Sequence, residues 1–345
     1  MNNYKDFIQC IKDGSPNDLD YLAKENGNYK FSDVAANIAS YNNDALREAS
    51  KNGRLAIVDR LLGKKEDGTH EFPDVVNNIT ANDNEVLRFA ARYGHLPIVD
   101  RLLGEKVDGT YEFPDVVDNI ASYRNYALRL AAQNGHREIV GRLSRKKLDG
   151  TYKFPDVIDN ITAAGNYALC SAARNGHKAI VDRLLGKKED GTYEFQAVVD
   201  NITAWGSTAL RGAAYNGYHE ISRVVAQAAW PNISDMPQAL KNDTKIMASI
   251  REGFRLDAVR IGNVYFLNKY AKDCAPHILS LAGLEYAHMV IPNRGDTDTG
   301  TNHTFKSFIT KRIDAVKYVS EPMAGDLRDN EPSEGLPPFK KAKLS

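Results

Sequence analysis

A block of 41 residues recurs along this chain, marked by Gly53, Gly94, Gly135, Gly176 and Gly217 at constant spacing. This period limits the fold more than any single motif does. A unit of that length cannot enclose a core, so copies must stack and bury their apolar faces against one another. Seven residues before each glycine stand Leu46, Leu87, Leu128, Leu169 and Leu210, and four before it stand Ala49, Ala90, Ala131, Ala172 and Ala213. The spacing places them on one face of a short helix that ends at the glycine. Beyond it, Ile57, Ile98, Ile139, Ile180 and Ile221 are followed four residues later by Leu61, Leu102, Leu143, Leu184 and Val225, the face of a second helix. The glycine is expected in the left-handed conformation that ends the first helix and reverses the chain. The alanines let neighbouring helices approach closely.

After the second helix, Lys64-Lys65-Glu66-Asp67-Gly68-Thr69 returns as Lys187-Lys188-Glu189-Asp190-Gly191-Thr192, and Asp-Gly recurs at 108–109 and 149–150. These residues predict a tight turn on a projecting finger. Phe113-Pro114-Asp115-Val116-Val117-Asp118-Asn119-Ile120 and its copies then predict a short third helix, with proline at its first position. An atypical first unit spans 4–40, followed by units 41–81, 82–122, 123–163 and 164–204. In a terminal unit, 205–231, Ala228-Ala229-Trp230-Pro231 replaces the finger. Terminal units are expected to shield the ends of the stack.

The segment Ala127-Leu128-Arg129-Leu130-Ala131-Ala132-Gln133-Asn134-Gly135-His136, continuing to Ile139-Val140, resembles the ankyrin repeat. It has a first helix with two alanines, a Gly-His turn and a second helix opening on Ile-Val, and residues 82–103 and 164–185 repeat it. The resemblance implies an all-α, ankyrin-like solenoid that binds proteins. Two departures stand out. The unit exceeds the usual length of about 33 residues by roughly eight, all of it in the finger region. Where the family has Thr-Pro-Leu-His, this chain has Ala-Leu-Arg at 45–47, 127–129 and 209–211, Val-Leu-Arg at 86–88 and Ala-Leu-Cys at 168–170. The arginines are expected to replace the hydrogen bonds of the family histidine. Helical-hairpin arrays of the HEAT type share a period near 40, but the first two helices here are too short for them. The variant with Asn-Tyr-Ala-Leu-Arg, Asn-Gly-His and Asp-Val-Val-Asp-Asn-Ile is similar to arrays in effectors that intracellular bacterial pathogens deliver into host cells. That similarity implies a host protein as partner, synthesis in a bacterial cytoplasm and delivery to the host cytoplasm.

Lys and Arg number 45 against 45 Asp and Glu, which removes a global basic field for nucleic acid. The dibasic Lys64-Lys65, Lys146-Lys147 and Lys187-Lys188 read as a solvated edge. The sequence has neither a basic segment leading into an apolar one nor a run of about 18 apolar residues, so neither a signal peptide nor a membrane span is expected. Cys10, Cys170 and Cys274 are odd in number and far apart, which suits reducing surroundings. In a solenoid, equal positions build scaffold and unequal ones give the surface its identity. The segment before each first helix varies most, reading Tyr41-Asn42, Asn82-Asp83, Tyr123-Arg124, Ala164-Gly165 and Trp205-Gly206, while Phe89, Leu130, Ser171 and Gly212 vary on the helices. Candidate partner-binding residues are therefore Tyr41, Asn82, Asp83, Phe89, Tyr123, Arg124, Trp205 and Tyr215, because aromatic and Arg side chains bury large area with few rotors. A monomer is expected.

The period stops after residue 231. Residues 232–323 read as a mainly helical module, in which Phe305, Phe308, Ile309, Ile313 and Val316 outline an amphipathic helix and Arg260-Ile261-Gly262-Asn263-Val264-Tyr265 a small hairpin. Residues 324–345 read as a disordered tail. In it, Lys340, Lys341 and Lys343 resemble a nuclear import signal, which makes the host nucleus a second destination. The rival reading is an enzyme, with Cys274 and His277 as nucleophile and base of a cysteine-dependent hydrolase or transferase and the repeats selecting its substrate. No local signature surrounds Cys274 and no paired Cys motif supports a metal, so binding without cofactor or metal is the expectation.

Overall fold

The repeat in sequence becomes a repeat of layers in the computed structural model, which describes residues 3–269. A layer consists of a short helix, a first helix, a second helix and a finger leading to the next layer. The first helices are Ser40–Lys51, Ala81–Tyr93, Ser122–Asn134, Ala163–Arg174 and Ala204–Tyr215. The second helices are Leu55–Leu61, Leu96–Leu102, Arg137–Leu143, Lys178–Leu185 and His219–Ala229. The short ones, which precede the first helices, are Ser32–Ala36, Pro73–Asn77, Pro114–Asp118, Pro155–Asp159 and Gln196–Asp200. The architecture is the all-α, ankyrin-like solenoid expected.

Helices this short are not stable alone, and stacking supplies what they lack. Each first helix packs on the next first helix, and each second helix on the next second helix. The leucine column Leu46, Leu87, Leu128, Leu169 and Leu210 is fully buried, and each such side chain contributes about 1.5–3 kcal/mol. Finger aromatics extend the column outward. Tyr29 meets Phe72, His70 meets Phe113, Tyr111 meets Phe154 and Tyr152 meets Phe195, with ring centroids 5.5, 6.0, 6.2 and 5.8 Å apart.

The fingers are the tight turns the Asp-Gly pairs predict. Each is closed by one antiparallel bridge, as between Lys64 and His70 or between Lys146 and Tyr152. At the first tip, the backbone amide and Oγ1 of Thr69 donate to Asp67 Oδ1 at 2.9 and 2.6 Å, and Gly68 turns the chain with φ 81°. The same arrangement recurs at Asp108, Asp149 and Asp190. Hydrogen bonds from the threonines hold all four carboxyls below the usual range.

Gly94, with φ 82°, ends its helix in the left-handed conformation expected. It also has a second duty: a Cβ there would stand 2.5 Å from the ring of His136, which belongs to the next layer. That ring lies across the turn and pairs with Arg92 O at 2.9 Å. His95 and His177 repeat the contact with Lys51 O and Gln133 O at 3.0 and 3.1 Å.

The ends differ from the middle. The N-terminal helix Asn3–Asp13 packs on Ser40–Lys51, and Arg54 stands in the place of the histidine, donating to Ser15 O at 2.9 Å and pairing with Asp18. At the other end, the helix Thr244–Lys269 packs on His219–Ala229 and Ala204–Tyr215. The core runs on through Met236, Leu240, Ile246, Ile250 and Phe254. Gly253 permits the crossing, since a Cβ there would collide with His219 O. A polar seam of Ser249, Ser222 and His219 and the buried Arg223–Asp257 pair, 3.6 Å apart, complete the contact.

The hairpin expected over Arg260 to Tyr265 is not formed. Those residues continue the helix Thr244–Lys269, so a helix already docked through Ile246, Ile250 and Phe254 prevails over the local Gly-Asn turn signal. The helix expected over Phe305 to Val316 and the tail 324–345 lie outside the described residues.

The two roles of the turn glycine predict a graded effect. Gly68→Ala, which meets only left-handed strain, costs about 1 kcal/mol, whereas Gly94→Ala, which also meets the His136 ring, costs about 3 kcal/mol. Equal losses in urea unfolding would contradict the second role.

Candidate binding surface

Near the start of four of the first helices, from Ser40–Lys51 to Ala163–Arg174, three successive residues make a left-handed turn. Tyr41-Asn42-Asn43, Asn82-Asp83-Asn84, Tyr123-Arg124-Asn125 and Ala164-Gly165-Asn166 all have φ between 53° and 68°. A residue with a Cβ loses about 1–2 kcal/mol in this conformation, so something must hold it. The third residue does so from inside. Nδ2 of Asn43, Asn84, Asn125 and Asn166 donates to the carbonyls of Val75, Val116, Val157 and Val198 at 2.7, 2.9, 2.8 and 2.8 Å. Those carbonyls belong to the short helix of the adjacent layer, too short to pair them itself.

The arginine of Ala-Leu-Arg holds the turn from outside. Arg47 Nη1 donates to Tyr41 O at 2.8 Å, Arg88 Nη2 to Asn82 O at 2.5 Å, Arg129 Nη1 to Arg124 O at 3.2 Å and Arg211 Nε to Gly206 O at 3.0 Å. The arginines thus donate to the turn from the position at which the family pattern has its histidine. In the remaining layer Cys170 Sγ points to Gly165 O at 3.8 Å. Burial pushes that thiol up to about 11, which leaves it inert as a nucleophile at neutral pH.

With the third residue fixed inward, the first two face solvent in three of the turns, and Ala164 and Gly165 are half-buried in the fourth. Tyr41 is 76% exposed and Tyr123 61%, and Asn82, Asp83 and Arg124 are exposed beside them. Asn42 Nδ2 donates to Asn82 Oδ1 at 3.3 Å and Ser122 Oγ to Asp83 O at 2.8 Å, so successive turns touch. Arginines bridge the layers beneath. Arg47 pairs with Glu85 at 2.9 Å, Arg88 lies over Tyr123 at 5.3 Å, and Arg129 lies over Tyr126 and Tyr167 at 4.9 and 4.8 Å. Cation–π contacts of this kind stiffen the row without hiding its outer edge.

The structure therefore brings Tyr41, Asn82, Asp83, Tyr123 and Arg124 into one row. Phe89 stands apart, half-buried on the helix against Tyr93. Tyr215 lies at the far end, where its hydroxyl donates to Asp243 at 2.9 Å, a bond that raises its pKa. Trp205 falls in the helix Ala204–Tyr215. Cys274, His277, Lys340, Lys341 and Lys343 lie outside the described residues. The asparagine column at 43, 84, 125 and 166 is a determinant that sequence reasoning missed, although its constant spacing and the tolerance of Asn for left-handed backbone were visible.

A second network ties each second helix to its finger. Arg101 Nη1 donates to Glu112 at 2.6 Å and Arg183 Nη1 to Glu194 at 2.8 Å, and Arg60 pairs likewise with Glu71. Burial by itself would raise the Glu71 carboxyl, but hydrogen bonds from Arg60, Lys24 and Tyr29 prevail and lower it to about 2. Among the described residues no helix is long and apolar enough to cross a membrane.

A family model described as ankyrin repeats, three copies, matches residues 46–153, 87–194 and 128–235. Among curated proteins, none matches the chain.

The lowered Glu71 pKa has a consequence for stability. Its folded value lies below the ordinary 4.5, so the contribution is complete above that pH and is lost as pH falls towards about 2. Glu71→Gln is expected to cost roughly 3 kcal/mol at pH 6, and the gap from the unmodified protein should close at acid pH. A gap that stays constant from pH 6 to pH 3 would show that Glu71 does not titrate as described.

Proposed function

The chain belongs to the ankyrin repeat family, and from this premise we propose that it grips a protein partner along the row of left-handed turns. Ankyrin repeats form a protein–protein interaction domain. What supports the row as its contact surface is the contrast between constant backbone and changing side chains. Four turns share φ values and a buried asparagine, yet the two residues before it read Tyr-Asn, Asn-Asp, Tyr-Arg and Ala-Gly. A scaffold that spends strain to present variable residues is a display surface. Tyr41, Tyr123 and Arg124 are its anchors, flanked by Asn82 and Asp83, with Trp205 and Tyr215 extending it.

The partner, in this reading, is a host protein and the chain an effector made in a bacterium and delivered to the host cytoplasm, acting there as a monomer. Its support is the motif similarity of Asn125-Tyr126-Ala127-Leu128-Arg129 and Asp115 to Ile120 to arrays of that kind. The cysteine-dependent enzyme would rest on Cys274 and His277, which lie outside the described residues.

Capture from eukaryotic cell lysate tests the proposal, comparing the full chain with Tyr41→Ala/Tyr123→Ala/Arg124→Ala. Loss of the three anchors is expected to reduce capture of the partner at least about tenfold, with the helical circular dichroism signal retained. Equal capture by both proteins, or capture by neither, would reject the surface.

A further inference from the structure

An open cleft of about 670 Å³ lies between the second helices Leu96–Leu102 and Arg137–Leu143. Four of its lining positions break the repeat. Glu105 stands where other layers have Lys64, Lys146 and Lys187, and Gly141 where they have Asp59, Asp100 and Asp182. Arg145 replaces Gly63, Gly104 and Gly186, and Lys153 replaces Glu71, Glu112 and Glu194. Departures that could have scattered over the array instead meet around one space.

The other layers serve as an internal control for what these changes do. In them the guanidinium Nη1 of Arg60, Arg101 or Arg183 rests on a finger glutamate. Arg142 occupies the same position but finds Lys153 where the glutamate would be. The lysine turns to Glu105 instead, so the ion pair that runs from Lys64 to Glu112 and from Lys146 to Glu194 is reversed in sign here. Arg142 keeps Asp100 through Nε at 2.6 Å and Leu103 O through Nη2 at 3.5 Å. Among the described residues, its Nη1 is buried with no acceptor. A buried charged donor left unpaired is costly, and the group it is shaped for is a carboxylate.

The cleft is also uncrowded at Gly141, which lines it. A Cβ at Gly141 would meet nothing within 4 Å. The aspartate missing there is not missed by the next layer, because Arg183 Nε bonds Ser144 Oγ at 3.1 Å in its place.

We propose that this cleft binds a single carboxylate, the side chain of an Asp or Glu on a protein partner, in the position that the finger glutamate fills elsewhere. Arg142 Nη1 is the donor, and Arg145 and Lys153 add positive charge. Asp100, Glu105 and Glu138, which also line the cleft, admit one carboxylate and repel an extended acidic run. The identity of the ligand as a protein segment rests on the recognition function proposed above; the carboxylate site itself does not.

The test uses the full ¹⁵N-labelled chain and the capped peptide acetyl-Ala-Ala-Glu-Ala-Ala-amide as probe, with its Gln counterpart as control. The Glu peptide is expected to shift the Arg142 Nε–Hε and Gly141 amide signals saturably, with a Kd of about 1–10 mM, and the Gln peptide to leave them in place. The variant Glu105→Lys/Lys153→Glu rebuilds the neighbouring layers' arrangement and supplies Arg142 with an internal carboxylate. It is expected to fold and to weaken the shift at least about tenfold. The single change Lys153→Glu puts the finger glutamate of the other layers beside Arg142 and is expected to do likewise, which covers a double variant that fails to fold. No saturable shift, an equal response to the Gln peptide, or undiminished binding by the rebuilt cleft would each overturn the proposal. Peptide binding without partner capture would leave the cleft standing and reject only the recognition function.

Discussion

A helix of seven residues pairs few of its own carbonyls, and this array depends on neighbouring layers to pair the rest. Each kind of helix has its own cross-layer partner. The end of the first helix receives the next layer's histidine, as His95 meets Lys51 O at 3.0 Å. The end of the second receives an arginine, as Arg101 Nη2 donates to Leu62 O at 3.3 Å. The short helix receives an asparagine from the layer before it, as Asn84 does for Val116. Burial of the leucine and isoleucine columns supplies the attraction between layers, and these three polar caps fix their register.

Much of this was legible in the amino-acid sequence because it rests on local pattern. The Leu, Ala and Ile columns, the reversing glycine, the Asp-Gly finger and the Pro-led short helix follow from periodicity and turn chemistry. The exchange of histidine for arginine at 47, 88, 129 and 211 also followed from it. What escaped depends on contacts between layers. The left-handed turn exists because Asn43 and its copies find carbonyls some 32 residues along the chain, which no local propensity reveals. Variation alone also misleads: Leu130 and Ser171 differ from their counterparts yet are buried, and Phe89 is half-covered. The hairpin expected at Arg260 failed for the complementary reason, a local signal overruled by a helix already seated on the array.

The surface and the cleft share one logic. A repeated frame holds backbone and buried polar groups constant, so any side chain that departs from the frame changes a surface and leaves the scaffold intact. Along the turns the departures alter shape and aromatic character. In the cleft they remove a carboxylate from Arg142, reverse one ion pair and clear the space beside Gly141.

The claim that caps between layers make the stack cooperative is tested most directly by amide hydrogen exchange on His136→Ala. That change removes the partner of Arg92 O and leaves the apolar core untouched. Protection should fall in both Ala81–Tyr93 and Ser122–Asn134, and the loss should extend along the adjoining layers. Faster exchange confined to the few amides around residue 136 would mean that each layer stands by itself and that the polar caps do not couple them.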